Sequence, residues 1–238
     1  MHRRQFTAGW FGAAAGQGLA WSGLGIGTGI GSLAQAQSLS SSDAASGIRE
    51  ALERGAVAAV GLLGREGGFL DNPKVRIPLP GYLNDAAKLL KATGQGAKVD
   101  ELIAAMNRAA ERAVPEAKSM LVSAAKGISL QDAVGIVRGS ETSVTDYFNA
   151  KTREPLAGKF LPIVTQATQK VALADKYNAV AGKAAGLGLI KGKDANLQTY
   201  VTGKALDGLY LMIAEEEKKI RRDPVGTGSA ILRKVFGR

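Results

Sequence analysis

The chain has no cysteine, one histidine and two tryptophans. His2, Trp10 and Trp21 all fall within the first 36 residues, a stretch with the layout of an export signal. The mature chain is therefore expected to hold no Cys, His or Trp at all. That set of absences excludes disulfides and cysteine nucleophiles, and with them triads that need an imidazole. It also excludes zinc and copper sites built on imidazole or thiolate, and the usual haem ligation. Neither a cofactor nor a metal is expected, and stability has to come from packing.

The signal assignment rests on Arg3 and Arg4 followed by Phe6, a long uncharged middle, and Ala34-Gln35-Ala36 at the end. The Arg-Arg-x-Phe start resembles the twin-arginine type. The middle is only weakly apolar, with nine glycines plus Gln17, Ser22 and Thr28, whereas a spanning helix wants about 20 strongly apolar residues. Residues 1–36 are thus expected to direct export to the periplasm; the alternative is an uncleaved anchor in the inner membrane. The glycines from Gly23 to Gly31 alternate as G-x-G-x-G, follow no strand, and lack the spacing of a dinucleotide loop.

Beyond residue 36 there are 29 basic and 21 acidic residues, a net +8, of which residues 218–238 supply +6. A nearly neutral body with a basic tail argues against a nucleic-acid partner. Periodicity is helical almost throughout. Cap-type serines precede a stripe of Ile48, Leu52, Val57, Val60 and Leu63; Gly94 stops a short helix; Pro115 interrupts a long one; Ser129 and Asp132 open another. Pro155 and Pro162 read as boundaries or kinks, and Asp223-Pro224 ends the last main helix. Residues 37–238 are therefore expected to form a single all-α domain, an antiparallel bundle of eight or nine helices joined by short turns.

One stretch is not helical. In "GGFLDNPKVRIPLPG", residues 67–81, Val75, Ile77 and Leu79 alternate with Lys74 and Arg76, which predicts an extended strap with one apolar face. Pro78 and Pro80 limit it to an edge or a two-stranded β-ribbon. It can serve as a fixed connector or as a lid over a groove, with Phe69, Arg76, Ile77 and Leu79 as contact residues.

"EGGFLDNPKVRIPLP", "NRAAERAVPEAK", "TDYFNAKT", "FLPIV" and "YVTGKALDGLYLMIAEEEKKIRRDP" follow one another in this order. In this the chain resembles an uncharacterised family of exported bacterial proteins, the domain of unknown function 4197, over roughly residues 38–237. The resemblance implies an exported helical protein and no established activity. It also implies a further basic residue after Asp223-Pro224, where this chain has Val225-Gly226-Thr227-Gly228.

Polar groups on three helices are candidates for a site: Asn107, Arg108 and Glu111; Asp146, Tyr147 and Lys151; Tyr200, Lys204 and Asp207. They can converge on a polar cavity, or pair between helices to fix packing register. Glu215 to Arg222 read as a solvated, salt-bridged helix end. Ile231, Leu232, Val235 and Phe236, backed by Arg233, Lys234 and Arg238, can close the core or lie on an anionic membrane surface. The function expected is non-enzymatic: an exported protein that binds an apolar or amphiphilic small molecule or lipid, or an envelope protein partner. Ligand contacts are expected from Phe69, Arg76, Ile77, Leu79, Asn107, Glu111, Tyr147, Tyr200, Lys204 and Asp207. The alternatives are an enzyme using Glu111, Asp146, Tyr147 and Lys151 by carboxylate, tyrosine and lysine chemistry, and an envelope scaffold without a small ligand.

Overall fold

Ser40 opens the first helix: its hydroxyl accepts from the Asp43 amide, and the Asp43 carboxylate accepts from the Ser40 amide. This reciprocal cap satisfies two donors that a helix start otherwise leaves bare. Helix α1 then spans Ser41–Leu63, and α2 spans Asn84–Ala92. Next come α3, Gly96–Ala113, and α4, Ala117–Lys126, separated by a 3-10 turn at Val114–Glu116 where Pro115 removes a donor. Helix α5 is Leu130–Val137, α6 Ser143–Thr168, α7 Ala172–Gly186, α8 Leu197–Arg222 and α9 Ala230–Phe236. The structure, a computed structural model, describes residues 40–188 and 196–237; the proposed export signal lies outside them. Residues Ser38–Arg238 form one compact unit.

The fold is all-α, and no β-strand occurs among the described residues. The ribbon expected at 67–81 does not form. Residues 66–71 and 73–75 are turns, 76–80 are irregular, and Gly81–Leu83 is a single 3-10 turn. Pro73, Pro78 and Pro80 cannot donate to a ladder, and Gly67 at φ 75° turns the chain. The expected alternation still holds as burial: Val75 and Ile77 are buried, while Lys74 and Arg76 are exposed. Two other expectations are corrected. Pro155 and Pro162 are not helix boundaries, since α6 continues through both. Val57 is 41% exposed and leaves the α1 stripe, in which Ala56 and Ala59 are buried instead.

Helix α8 packs on α1, α3 and α6; α3 packs on α6; and α1 also meets α4, α5 and α9. The core between them includes Leu52, Leu63, Met106, Phe148, Leu156 and Phe160, each essentially inaccessible. With no disulfide to constrain the chain, such burial, about 1.5–3 kcal/mol per large apolar side chain, is the main stabilising term. Small residues let backbones approach. A Cβ on Gly47 of α1 would lie 2.5 Å from Val235 of α9, so α9 seats closely on α1. Leu232 and Val235 are buried there, Lys234 bonds Asp43 at 2.7 Å, and that hydrogen bond above all holds the Asp43 carboxyl below its ordinary range. Among the described residues no single helix is long and apolar enough to cross a membrane.

Gly208 of α8 is where the 64–80 strap comes closest. An added Cβ would stand 2.7 Å from Phe69 and 3.2 Å from Val75, and Phe69 is fully buried. Five residues earlier, a Cβ on Gly203 would meet nothing within 4 Å. Replacing each by alanine separates helix propensity from packing. Gly203→Ala is expected to stabilise by up to about 1 kcal/mol. Gly208→Ala is expected to destabilise by about 1–3 kcal/mol, through displacement of Phe69. Thermal melts of the two variants should shift in opposite directions by a few degrees.

Candidate functional site

A non-helical strap crossing a helical domain has amide groups with no ladder to receive them. Several close turns within the strap, and two side chains of α3 receive three of the others. The amides of Phe69 and Leu70 both donate to Glu111 Oε1, at 3.0 and 3.1 Å. The amide of Ile77 donates to Asn107 Oδ1 at 2.8 Å, and Asn107 Nδ2 donates back to the Ile77 carbonyl at 2.9 Å. Asn107 and Glu111 lie one turn apart on the same face of α3, so one helix holds both ends of the strap. Both are buried. From α8, Tyr200 donates to the Pro78 carbonyl at 2.9 Å, and Glu215 bonds Lys74 at 2.7 Å, which holds the Glu215 carboxyl below its ordinary range. The strap is riveted along its length.

A second buried carboxylate does the same for a helix start. Thr142 gives α6 no side-chain cap. Glu217 of α8 replaces it: one carboxylate oxygen accepts from the Val144 amide at 3.1 Å, the other from the Thr145 amide at 2.9 Å and the Thr145 hydroxyl at 2.7 Å. Negative charge at a helix N-terminus is favourable. Arg221, one turn on, bonds Glu217 at 2.9 Å and reaches the Ile136 carbonyl near the end of α5. This corrects the expectation of a solvated helix end. The Glu217 and Arg221 side chains are only 3% and 14% exposed.

With the strap fixed, its end forms one wall of an open groove of about 1280 Å³. Residues 78–82 face α6 and α8 across it. Helix α6 contributes Asp146, Asn149, Arg153 and Glu154; α8 contributes Thr202, Lys204 and Asp207. Ala150 and Gly203 line it without long side chains, which leaves the space open. Arg153 bonds Asp207 at 2.6 Å, and Lys204 approaches the same carboxylate at 3.7 Å. Beneath that lining the side-chain oxygen of Asn149 and the hydroxyl of Thr202 are shut off from solvent without a hydrogen-bond partner, as is Arg49 Nε on α1 among the described residues. An unmet buried polar group costs about 1–3 kcal/mol, so such atoms call for an explanation.

The residues singled out from sequence thus divide. Leu79, Asp146, Tyr200, Lys204 and Asp207 come together on the groove. Phe69, Ile77, Asn107 and Glu111 are buried in the strap's seat, and Arg76 is exposed away from the groove lining. Tyr147 is half-buried, with Lys151 5.8 Å from its ring centre. The proposed enzymatic set of Glu111, Asp146, Tyr147 and Lys151 is not gathered, since only Asp146 lines the groove. Burial pushes the Tyr147 and Tyr210 hydroxyls above their ordinary range, so both stay protonated at neutral pH. Among the described residues no group of three His, Cys, Asp or Glu side chains is arranged to hold a metal ion. Sequence reasoning passed over Asn149, Arg153 and Thr202. The helical spacing of Asp146, Asn149, Arg153 and Ala157 was the signal available for the first two.

The two buried glutamates differ in a testable way. Glu111 receives both strap amides on one oxygen, so Glu111→Gln can keep them, whereas Glu111→Ala strands two donors. Glu217 uses both oxygens, so an amide would set an N–H against N–H donors. Urea unfolding is expected to show Glu111→Gln within about 1 kcal/mol of the parent and Glu111→Ala losing about 1–3 kcal/mol. Glu217→Gln is expected to lose about 3–5 kcal/mol.

No curated protein and no solved structure matches this chain. A family model does, over residues 38–237, which takes in every described residue. The chain belongs to the family described as protein of unknown function DUF4197.

Proposed function

We propose that this chain is an exported binding protein, non-enzymatic, that takes an amphiphilic ligand or a segment of an envelope partner in the groove between the strap end, α6 and α8. In this reading the helices form a bundle of antiparallel neighbours, and the strap is a fixed wall of the site and not a lid. The single observation that supports it best is the open groove itself, about 1280 Å³, walled by the strap end and kept clear of long side chains at Ala150 and Gly203. The mixture of Leu79, Tyr82 and Leu206 with charged residues on the same lining supports an amphiphilic occupant over a purely apolar one. The basic C-terminal helix then serves to close the core, because its apolar side chains Leu232 and Val235 are buried on α1.

Gly203 offers the cleanest test, since it lines the groove and a Cβ added there meets no neighbouring atom within 4 Å. Native mass spectrometry of the protein purified from its own envelope fraction is expected to show an added mass. Gly203→Leu is expected to lose that mass while melting no lower than the parent. An apo parent, or an added mass that persists in Gly203→Leu, would remove the groove as the site.

A further inference from the structure

Among the described residues, α2 is the only α-helix with no buried residue. Ala87 and Leu90 are half-buried, and Leu89 is 66% exposed. The helix lies on α3. The ion pair that crosses between them, Lys91–Asp100 at 3.1 Å, joins side chains 53% and 66% exposed, and an exposed pair of that kind contributes little. The far half of α3 is different: Met106, Ala109, Ala110 and Ala113 are wholly inaccessible. Elements with few buried contacts open locally at a smaller free energy than the whole fold, which singles out α2 for local opening. Gly94, at φ 76°, reverses the chain between α2 and α3.

The other end of α2 is at the groove. Gly81 and Tyr82 line it, and the 3-10 turn Gly81–Leu83 runs directly into α2. Upstream the chain is anchored, because Asn107 holds Ile77 and Tyr200 holds the Pro78 carbonyl. Beyond Pro80 the ties are slighter. Leu83 is half-buried against the core, and the Tyr82 hydroxyl donates to the Tyr177 hydroxyl of α7 at 3.1 Å. Tyr177 is 3% exposed and lies outside the groove lining. We propose, resting on the groove assignment above, that residues 81–92 form a gate on the groove, latched shut by the bond from Tyr82 to Tyr177. When the latch parts, α2 leaves α3 and carries Tyr82 off the groove wall, while the strap up to Pro80 stays in its seat. The closed gate retains the occupant, so release follows the fraction of time the gate stands open.

Tyr177→Phe tests the gate, since it removes the latch acceptor, keeps the ring, and alters no residue of the groove lining. Two quantities are read on protein from its own envelope fraction. One is hydrogen exchange of the Lys88 to Ala92 amides; the other is loss of the co-purified mass during dialysis, followed by native mass spectrometry. In the parent, the α2 amides are expected to exchange roughly a hundredfold faster than those of Met106 to Ala113. In Tyr177→Phe, α2 exchange and mass loss are both expected to quicken by one shared factor, roughly fivefold. Val235→Ala, which loosens α9 on α1 away from the groove, is expected to quicken neither. The gate is overturned if α2 is as protected as α3, if the two factors in Tyr177→Phe differ or both stay at one, or if Val235→Ala speeds mass loss equally. In each of those cases a mass that Gly203→Leu still strips leaves the groove standing. A parent without added mass, or a mass that Gly203→Leu keeps, removes the groove and the gate with it.

Discussion

Every amide that a folded chain removes from water must find an acceptor, and in this protein that constraint falls hardest on residues 64–80, the longest non-helical run among the described residues. The strap cannot pair with a neighbouring strand, because its prolines withhold donors and nothing beside it is extended. The amides of Gly68, Asp71, Asn72, Lys74, Val75 and Arg76 close turns within the strap, and those of Phe69, Leu70 and Ile77 go to α3: Glu111 for the first two, Asn107 for the third. The rest follows from those bonds. Phe69 is held over Gly208, Val75 and Ile77 are held in the core, and residues 78–82 are held where they face α6 and α8.

The same physics recurs at Glu217, where a carboxylate from α8 caps α6 in the absence of a local cap. Both glutamates are buried and each receives two backbone amides, Glu111 on one oxygen and Glu217 on both, with Arg108 and Arg221 as their charged neighbours. That occupation is what distinguishes them from catalytic carboxylates, which need a free face toward a substrate. The groove presents the opposite condition. Its carboxylates Asp146 and Glu154 are exposed. Buried polarity is mostly satisfied: among the described residues only Arg49 Nε, Asn149 Oδ1 and Thr202 Oγ1 are shut off without a partner.

Much of the fold was legible in the sequence because its signals are local. Ser40, Ser129 and Ser229 cap the helices they precede, Gly94 and Pro115 interrupt helices where expected, and strap alternation appears as alternating burial. The family, too, was readable from its ordered motifs. Long-range partners were not. Glu217 and Arg221 have the spacing of an ordinary exposed pair, and nothing within α8 says that the start of α6 lies against them. Asn107 and Glu111 looked like candidates for chemistry, since a polar residue among alanines has the same appearance whether it faces a cavity or a backbone. The prolines of α6 misled for a related reason: tertiary packing of α6 on α3 and α8 outweighs the hydrogen bonds they delete. Asp146, Tyr200, Lys204 and Asp207, singled out as polar groups that can converge, do line one groove, and that groove depends on where the strap is fixed.

Fixation of the strap is therefore the point on which the site depends, and amide hydrogen exchange followed by NMR addresses it directly. The amides of Phe69, Leu70 and Ile77 are expected to exchange as slowly as those in the middle of α3 and α8, through the same global opening. Exchange of these three at the rate of a solvent-exposed loop, with α3 and α8 still protected, would contradict it and return the strap to the role of a movable cover.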